Sequence, residues 1–281
     1  MMTRQIKEQV SIWWQYVIAI AFALIFGYPI VWMMYSSFKP TRDILTNLWA
    51  LPQSLSFDNY IRVLESNTFQ TLYANSILLS MITVPLLTLV AAMTAYTFAR
   101  ITFRGRTVLF YLFLSGTMIP IHVTLIPLYA MMRDFGLLNQ LTALIFPYIG
   151  FGLPVSVFIL RDFFQQIPLE IEESARIDGC STARLFFAIA LPLARPAIAT
   201  VVILNLVNVW NEYLFALTFV GGNNAAYTIP IGVVSFVSGL GRVQYDLMLT
   251  GLTLAALPVL IFYFFAQRYI IQGITAGSLK G

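Results

Sequence analysis

The residue types that do most protein chemistry are nearly absent from this chain. It has one histidine, His122, and one cysteine, Cys180. That excludes an intrachain disulfide, a multi-cysteine zinc site and an all-protein metal cage. The only lysines, Lys7, Lys39 and Lys280, follow Ile6, Phe38 and Leu279. A phosphate-cradling P-loop needs a Gly-Lys pair closing a glycine-rich loop, so ATP hydrolysis by that route is excluded. No nucleophile, base and acid stand together as a catalytic set. Two places remain where chemistry is legible. One is Glu212, an acid within an apolar run, which shares a helical stripe with Asn205 and Asn208 at i, i+3 and i+7; Asn211 is its neighbour. Such a stripe can line a polar path or an outer gate. It can equally hold helices together by hydrogen bonds worth roughly 0.6–2 kcal/mol each. The other place is the segment 161–196, the most charged of the chain.

The elements that position these residues must be built for lipid. Apolar residues make up 59% of the 281 positions and charged residues 10%, against about 45–50% and about 25% in soluble domains. A soluble enzyme, a disordered chain and a nucleic-acid-binding domain are excluded, because so few charges cannot cover a globular surface. Residues 9–38, 66–99, 107–132, 135–160 and 247–267 carry no charged side chain, and 196–220 is interrupted only by Glu212. Each run is long enough to cross a hydrocarbon core of about 30 Å as a helix. Spans are expected near 14–36, 75–98, 108–131, 139–160, 197–218 and 248–267. A stretch such as 75–93 is apolar on nearly every face, which rules out the alternation of a membrane β-barrel. The fold class is therefore an all-α membrane protein with six transmembrane helices.

Arginine and lysine set the orientation. With the N-terminus inside, Lys39, Arg42, Arg62, Arg133 and Arg242 fall in outside loops and the other eleven of the 16 fall inside. The bias puts both termini in the cytoplasm, as a short N-terminus of residues 1–13, a six-helix membrane body of 14–267 with its cytoplasmic loop at 161–196, and a tail of 268–281. The first span lacks a small-x-small cleavage site and reads as a retained helix. Pro120 and Pro127 flank His122 and predict a kinked third span, in which a lone histidine reads as a packing or hydrogen-bonding group before a ligand. Trp13, Trp14, Trp32 and Trp49 suit membrane-interface anchoring. The apolar stretch near 227–241 is too short to cross and reads as interfacial or re-entrant.

Segment 161–196 does not read as a linker. Pro168 suits a helix start, with Glu170, Glu172 and Glu173 following where the helix dipole favours anions. Gly179 is a left-handed stop, Ser181 or Thr182 can cap a second helix, and Pro192 marks the approach to span five. A helix, a glycine turn and a second helix are expected on the cytoplasmic face. Asp178 falls at the negative end of the first helix, which disfavours it by roughly 0.3–1 kcal/mol. It can be a water-exposed turn residue, pair with Arg176 or Arg184, or await a cation from another protein.

These residues carry a resemblance. Glu173-Ser174-Ala175, then Gly179, then Ile189-Ala190-Leu191-Pro192 resembles the EAA–G–I–LP signature of membrane subunits of bacterial ABC importers. The run 167–179 is similar to the carbohydrate-uptake branch, typified by the maltose permease pair. Trp210-Asn211-Glu212-Tyr213 and the tail 267–281 resemble the same branch. Ser174 departs from the usual alanine, and its small size is expected to preserve docking. The resemblance implies coupling helices that seat in a cleft of a cytoplasmic ATPase. There Glu173 would meet an arginine, Ala175 and Gly179 would permit close approach, and Asp178, Leu191 and Pro192 would belong to the same element. It also implies a second permease subunit, an ATPase dimer that binds the ATP, an extracytoplasmic solute-binding protein, and a sugar as solute. The chain itself would carry no cofactor and would sit in the inner membrane. By its own residues the C-terminal tail reads as a flexible end; by the resemblance it would reach into the ATPase dimer. An ion-coupled secondary transporter is the alternative, and it would need coupling-ion ligands at the membrane centre.

Overall fold

The computed structural model describes the backbone of residues 2–238 and 244–278, and the side chains of 13–233, 244–264 and 267. Every regular element among the described residues is helical. In chain order these are α1 (Met2–Ser36), α2 (Thr41–Thr46), α3 (Asp58–Leu64), α4 (Asn67–Arg100), α5 (Arg106–Ser115), α6 (Ile121–Asp134) and α7 (Thr142–Gln166). There follow α8 (Leu169–Ile177), α9 (Thr182–Leu185), α10 (Leu191–Leu193), α11 (Arg195–Asn211), α12 (Leu214–Val220), α13 (Ile229–Ser238) and α14 (Tyr245–Ser278).

Four helical stretches are long and apolar enough to cross a membrane: Trp13–Ser36, Asn67–Arg100, Thr142–Gln166 and Tyr245–Phe264. Two bent pairs bring the number to as many as six if each pair counts as one span. Arg106–Met118 meets Ile121–Asp134 at 98°, and Thr182–Leu193 meets Arg195–Asn211 at 78°. The first bend falls at Pro120, whose extended backbone (φ −62°, ψ 130°) ends one helix before α6 begins. The expected kink in the third span is thus a full break.

Two expectations need correction. Residues 197–218 do not form one continuous helix: α11 stops at Asn211, Glu212 turns extended (φ −69°, ψ 125°), and α12 restarts at Leu214. No proline or glycine causes this break; a side-chain cap does, as described below. The tail was expected to be a flexible end, but α14 stays helical to Ser278. Nothing in 268–278 forces a stop, since it holds no proline, so the helix propagates out of the span. The side chains of that tail, like those of residues 1–12, lie outside the described residues.

The chain forms two compact units. One comprises residues 1–69 and 233–256, the other 70–232 and 257–281. In the first, the apolar window of α1 has no buried residue, as expected of a helix whose solvent is lipid. Below it, the turn after α1 is tied down by polar groups. Asn59 Nδ2 donates to the carbonyls of Ser37 (2.9 Å) and Lys39 (3.1 Å), and Thr250 Oγ1 donates to the Ser37 carbonyl (3.0 Å). Thr41 Oγ1 donates to Asp246 Oδ1 (2.7 Å).

The second unit holds two apolar cores. In one, the small residues Ala91, Ala92 and Ala95 of α4 pack with Val157, Leu160 and Phe164 of α7 and Val201 of α11. Small side chains let helices approach closely where lipid supplies no hydrophobic drive between them. Gly152 of α7 marks the tightest approach. A Cβ there would overlap Leu87 Cδ1 and stand 2.7 Å from Asn205 Oδ1. The other core joins Leu144 and Tyr148 of α7 to Val209 of α11 and to Phe215 and Phe219 of α12.

Candidate functional site

The segment after α7 folds as its residues direct. Ile167 is extended (φ −67°, ψ 128°), and Pro168 stands at the N-cap of α8. The helix ends in a complete Schellman turn. Gly179 takes φ +79° and donates its N–H to the Arg176 carbonyl (3.0 Å), while the Cys180 N–H reaches the Ala175 carbonyl (2.9 Å). Asp178 is the C-cap of this turn. Ser181 Oγ then accepts from the Arg184 N–H (3.3 Å) and caps α9. A π-helical turn, Phe186–Ala190, leads into α10. The expected helix, glycine turn and second helix are all present.

Burial divides the acids of α8. Glu173, Ser174 and Asp178 are exposed, together with Ile177. Asp178 makes no ion pair with Arg176 or Arg184 among the described residues. Ser174 Oγ donates to the Glu170 carbonyl (2.8 Å), so the serine hydroxyl is absorbed within its own helix. Ala175 faces inward and packs in the chain's own core, and Leu191 leans on the same core. Pro192 is half-buried and Gly179 exposed.

Glu172, adjacent to Glu173, points the other way. It is buried, and its Oε1 lies 2.8 Å from Arg100 Nε. The Tyr96 hydroxyl donates to its Oε2 (3.1 Å). The Arg100 guanidinium also donates to the Ile167 carbonyl. Sequence reasoning missed this pair because its members are 72 positions apart and each sits in a charged context that reads as solvated. The available signal was Glu172 at i−3 from Ala175, which puts both on one helix face.

The second place is a cavity of about 280 Å³ lined by Tyr148, Gly152, Asn205, Asn208, Glu212 and Phe215, with Ile121 and others. Three of the four residues singled out from sequence therefore share it. Asn211 does not line it; the residue is exposed, and its Nδ2 donates to the Val207 carbonyl (2.9 Å). Asn205 is buried and donates to Ser156 Oγ (2.8 Å) and to the Val201 carbonyl (2.9 Å). Glu212 has a defined task. Its Oε1 accepts the Phe215 N–H (2.7 Å), and its Oε2 accepts the Ala216 N–H (3.0 Å) and the Tyr148 hydroxyl (2.6 Å). It satisfies donors that the first turn of α12 would otherwise leave open in an apolar setting. His122 is exposed near the start of α6. No cluster of His, Cys, Asp or Glu able to hold a metal occurs among the described residues.

The family described as "binding-protein-dependent transport system inner membrane component" matches residues 86–276. The arabinooligosaccharides transport system permease protein of Halalkalibacterium halodurans is 35% identical over 273 residues, covering 95% of this chain and 96% of that protein. The trehalose transport system permease protein of Mycobacterium tuberculosis is 32% identical, covering 94% and 97%. Among solved structures, a bacterial ABC transporter involved in the import of the acidic polysaccharide alginate contains a chain that superposes with a TM-score of 0.82. It is 24% identical, over 94% of this chain and 97% of that one.

Proposed function

Because the chain belongs to the family of inner-membrane components of binding-protein-dependent transport systems, and is a transporter subunit rather than an enzyme, we propose that it imports a sugar or oligosaccharide. It would act with a second permease subunit, a cytoplasmic ATPase dimer and an extracytoplasmic solute-binding protein. The observation that carries this reading is α8. It is a short helix closed by a glycine turn, and it shows Glu173, Ser174 and Asp178 to solvent, with no ion pair for either carboxylate among the described residues. A basic cleft on an ATPase supplies what those acids lack. Ala175 fits the role from behind, since its small side chain seats α8 against the chain's own core. The arginine and lysine bias supports placing α8 and both termini in the cytoplasm.

The solute class rests on relatives named for arabinooligosaccharides and trehalose. The cavity beside Asn205, Asn208 and Glu212 supports a translocation path in this unit, with Asn208 exposed on its lining where an amide can meet sugar hydroxyls. The ion-coupled alternative is set aside. The family is that of binding-protein-dependent transport systems, and Glu212, the one acid within an expected span, is engaged by backbone N–H groups of α12.

The test is Glu173→Arg. The variant should insert at the wild-type level yet bring down less ATPase from cells expressing the whole transporter, with uptake falling in parallel. Undiminished ATPase recovery and undiminished uptake would reject the docking role.

A further inference from the structure

The buried pair Arg100–Glu172 lies behind the docking face and takes no part in it. Both side chains are almost fully enclosed, at 6% and 5% exposed. Arg100 is the last residue of α4, a helix of 34 residues. Glu172 is in the first turn of α8. The same guanidinium holds the Ile167 carbonyl, where α7 has just ended. One turn back along α4, Tyr96 bonds Glu172 and sets its ring edge-on to Phe164 of α7, with centroids 5.5 Å apart at 85°.

The covalent connection at this point is weak. Between α7 and α8 the chain is non-helical at Ile167 and Pro168. Beyond α8 it runs through the left-handed Gly179. On backbone alone, α8 hangs between two joints that bending forces would find first. A buried ion pair is a poor source of net stability, since apolar residues of similar volume do as well or better. The hydrogen bonds beside it, from Tyr96 to Glu172 and from Arg100 to the Ile167 carbonyl, are directional and fix one helix relative to another.

We propose that Arg100 and Glu172 are positioning residues that lock α8 to the end of α4. Force applied to α8 then moves α4, instead of being spent on bending at Ile167 and Pro168. The inference rests on the docking reading above for the origin of that force. The lock itself is a property of this chain, and the experiment separates the two.

Spin labels are placed at exposed Glu170 on α8 and exposed Met93 on α4, in a Cys180→Ser background, within the transporter purified in detergent. Pulsed dipolar spectroscopy gives the distance distribution with and without a non-hydrolysable ATP analogue. With the pair intact, the distribution is narrow and does not shift on nucleotide binding. In Arg100→Met/Glu172→Met, which removes both charges so that neither is left buried alone, the width at least doubles. Tyr96→Phe removes one hydroxyl and keeps the ring packing, and gives an intermediate width. An equally narrow distribution in the double variant overturns the proposal, as does a nucleotide-dependent shift with the pair intact. If the double variant cannot be purified, an unchanged width in Tyr96→Phe overturns it too. Failure of the intact chain to bring down any ATPase would instead refute the docking reading, and the nucleotide-free widths would still decide the lock.

Discussion

Glu212 offers the sharpest test of how a membrane helix can be broken without glycine or proline. Its carboxylate accepts three hydrogen bonds, from the Phe215 N–H, the Ala216 N–H and the Tyr148 hydroxyl. Alanine at this position deletes all three and leaves two backbone donors unpaired. An N-cap is worth about 1 kcal/mol, and hydrogen bonds to a charged group are worth roughly 1.5–3 kcal/mol each. Allowing for relaxation and water entering the cavity, Glu212→Ala should destabilise by about 3 kcal/mol. At roughly 2–4 °C per kcal/mol for a chain of this size, its Tm falls by roughly 6–12 °C. Glutamine keeps one acceptor oxygen for Phe215 and turns a donor toward the Ala216 N–H, so its loss should be about half. Tyr148→Phe removes one bond and should cost about 1–2 kcal/mol. In the Glu212→Ala background, Tyr148→Phe should cost almost nothing more, because the bond is already gone. Thermal unfolding of the detergent-purified protein, followed by tryptophan fluorescence, provides the measurement. If alanine and glutamine are equally harmless, or if the two losses add, the carboxylate does not hold α12 and the reasoning fails.

Three further outcomes follow from other sites. Gly152→Ala should cost about 1–3 kcal/mol, read as a lower Tm, because the added methyl group overlaps Leu87 and presses on Asn205. Lys39 is buried, its ammonium lies 5.0 Å from the Tyr35 ring centre, and no hydrogen-bond acceptor meets it among the described residues. Burial pushes its pKa down from the ordinary 10.5, partly opposed by the charge of Asp43. The unfolded chain therefore binds that proton more readily, so stability should rise as pH climbs through the lowered pKa toward 10.5, and Lys39→Met should abolish that rise while being neutral or stabilising at pH 7. Finally, an impermeant maleimide should label Cys180, the only thiol, in inside-out vesicles stripped of ATPase and not in intact spheroplasts. The reverse pattern would invert the orientation read from the positive charges.

Much of this architecture is written locally. Charge-free runs locate the spans, because an ionised side chain in hydrocarbon is too costly to scatter. Pro168, Gly179 and Ser181 mark out α8 and α9, because each acts on its own backbone. Pro120 announces the break in the third span in the same way. The break at Glu212 could not be read so. Its neighbours are ordinary helix residues, and the cap is completed by Tyr148, 64 positions away. The stripe of Asn205, Asn208 and Glu212 was a sound guess about a face but rested on a helix that does not run that far. The opposite aims of Glu172 and Glu173 were likewise hidden. Only packing against α4 decides which of two adjacent acids turns inward.

That division has a genetic consequence. Glu172 is bound to residues of its own chain, while Glu173 is exposed and, on the docking proposed above, would be offered to another. Damage at the first should be repaired by second-site changes within the same polypeptide, near Tyr96 and Arg100. Damage at the second should be repaired by changes in the ATPase. Suppressor selections started from two neighbouring codons should therefore end in two different proteins, and the peptide bond between them is where this chain's internal constraints give way to its shared ones.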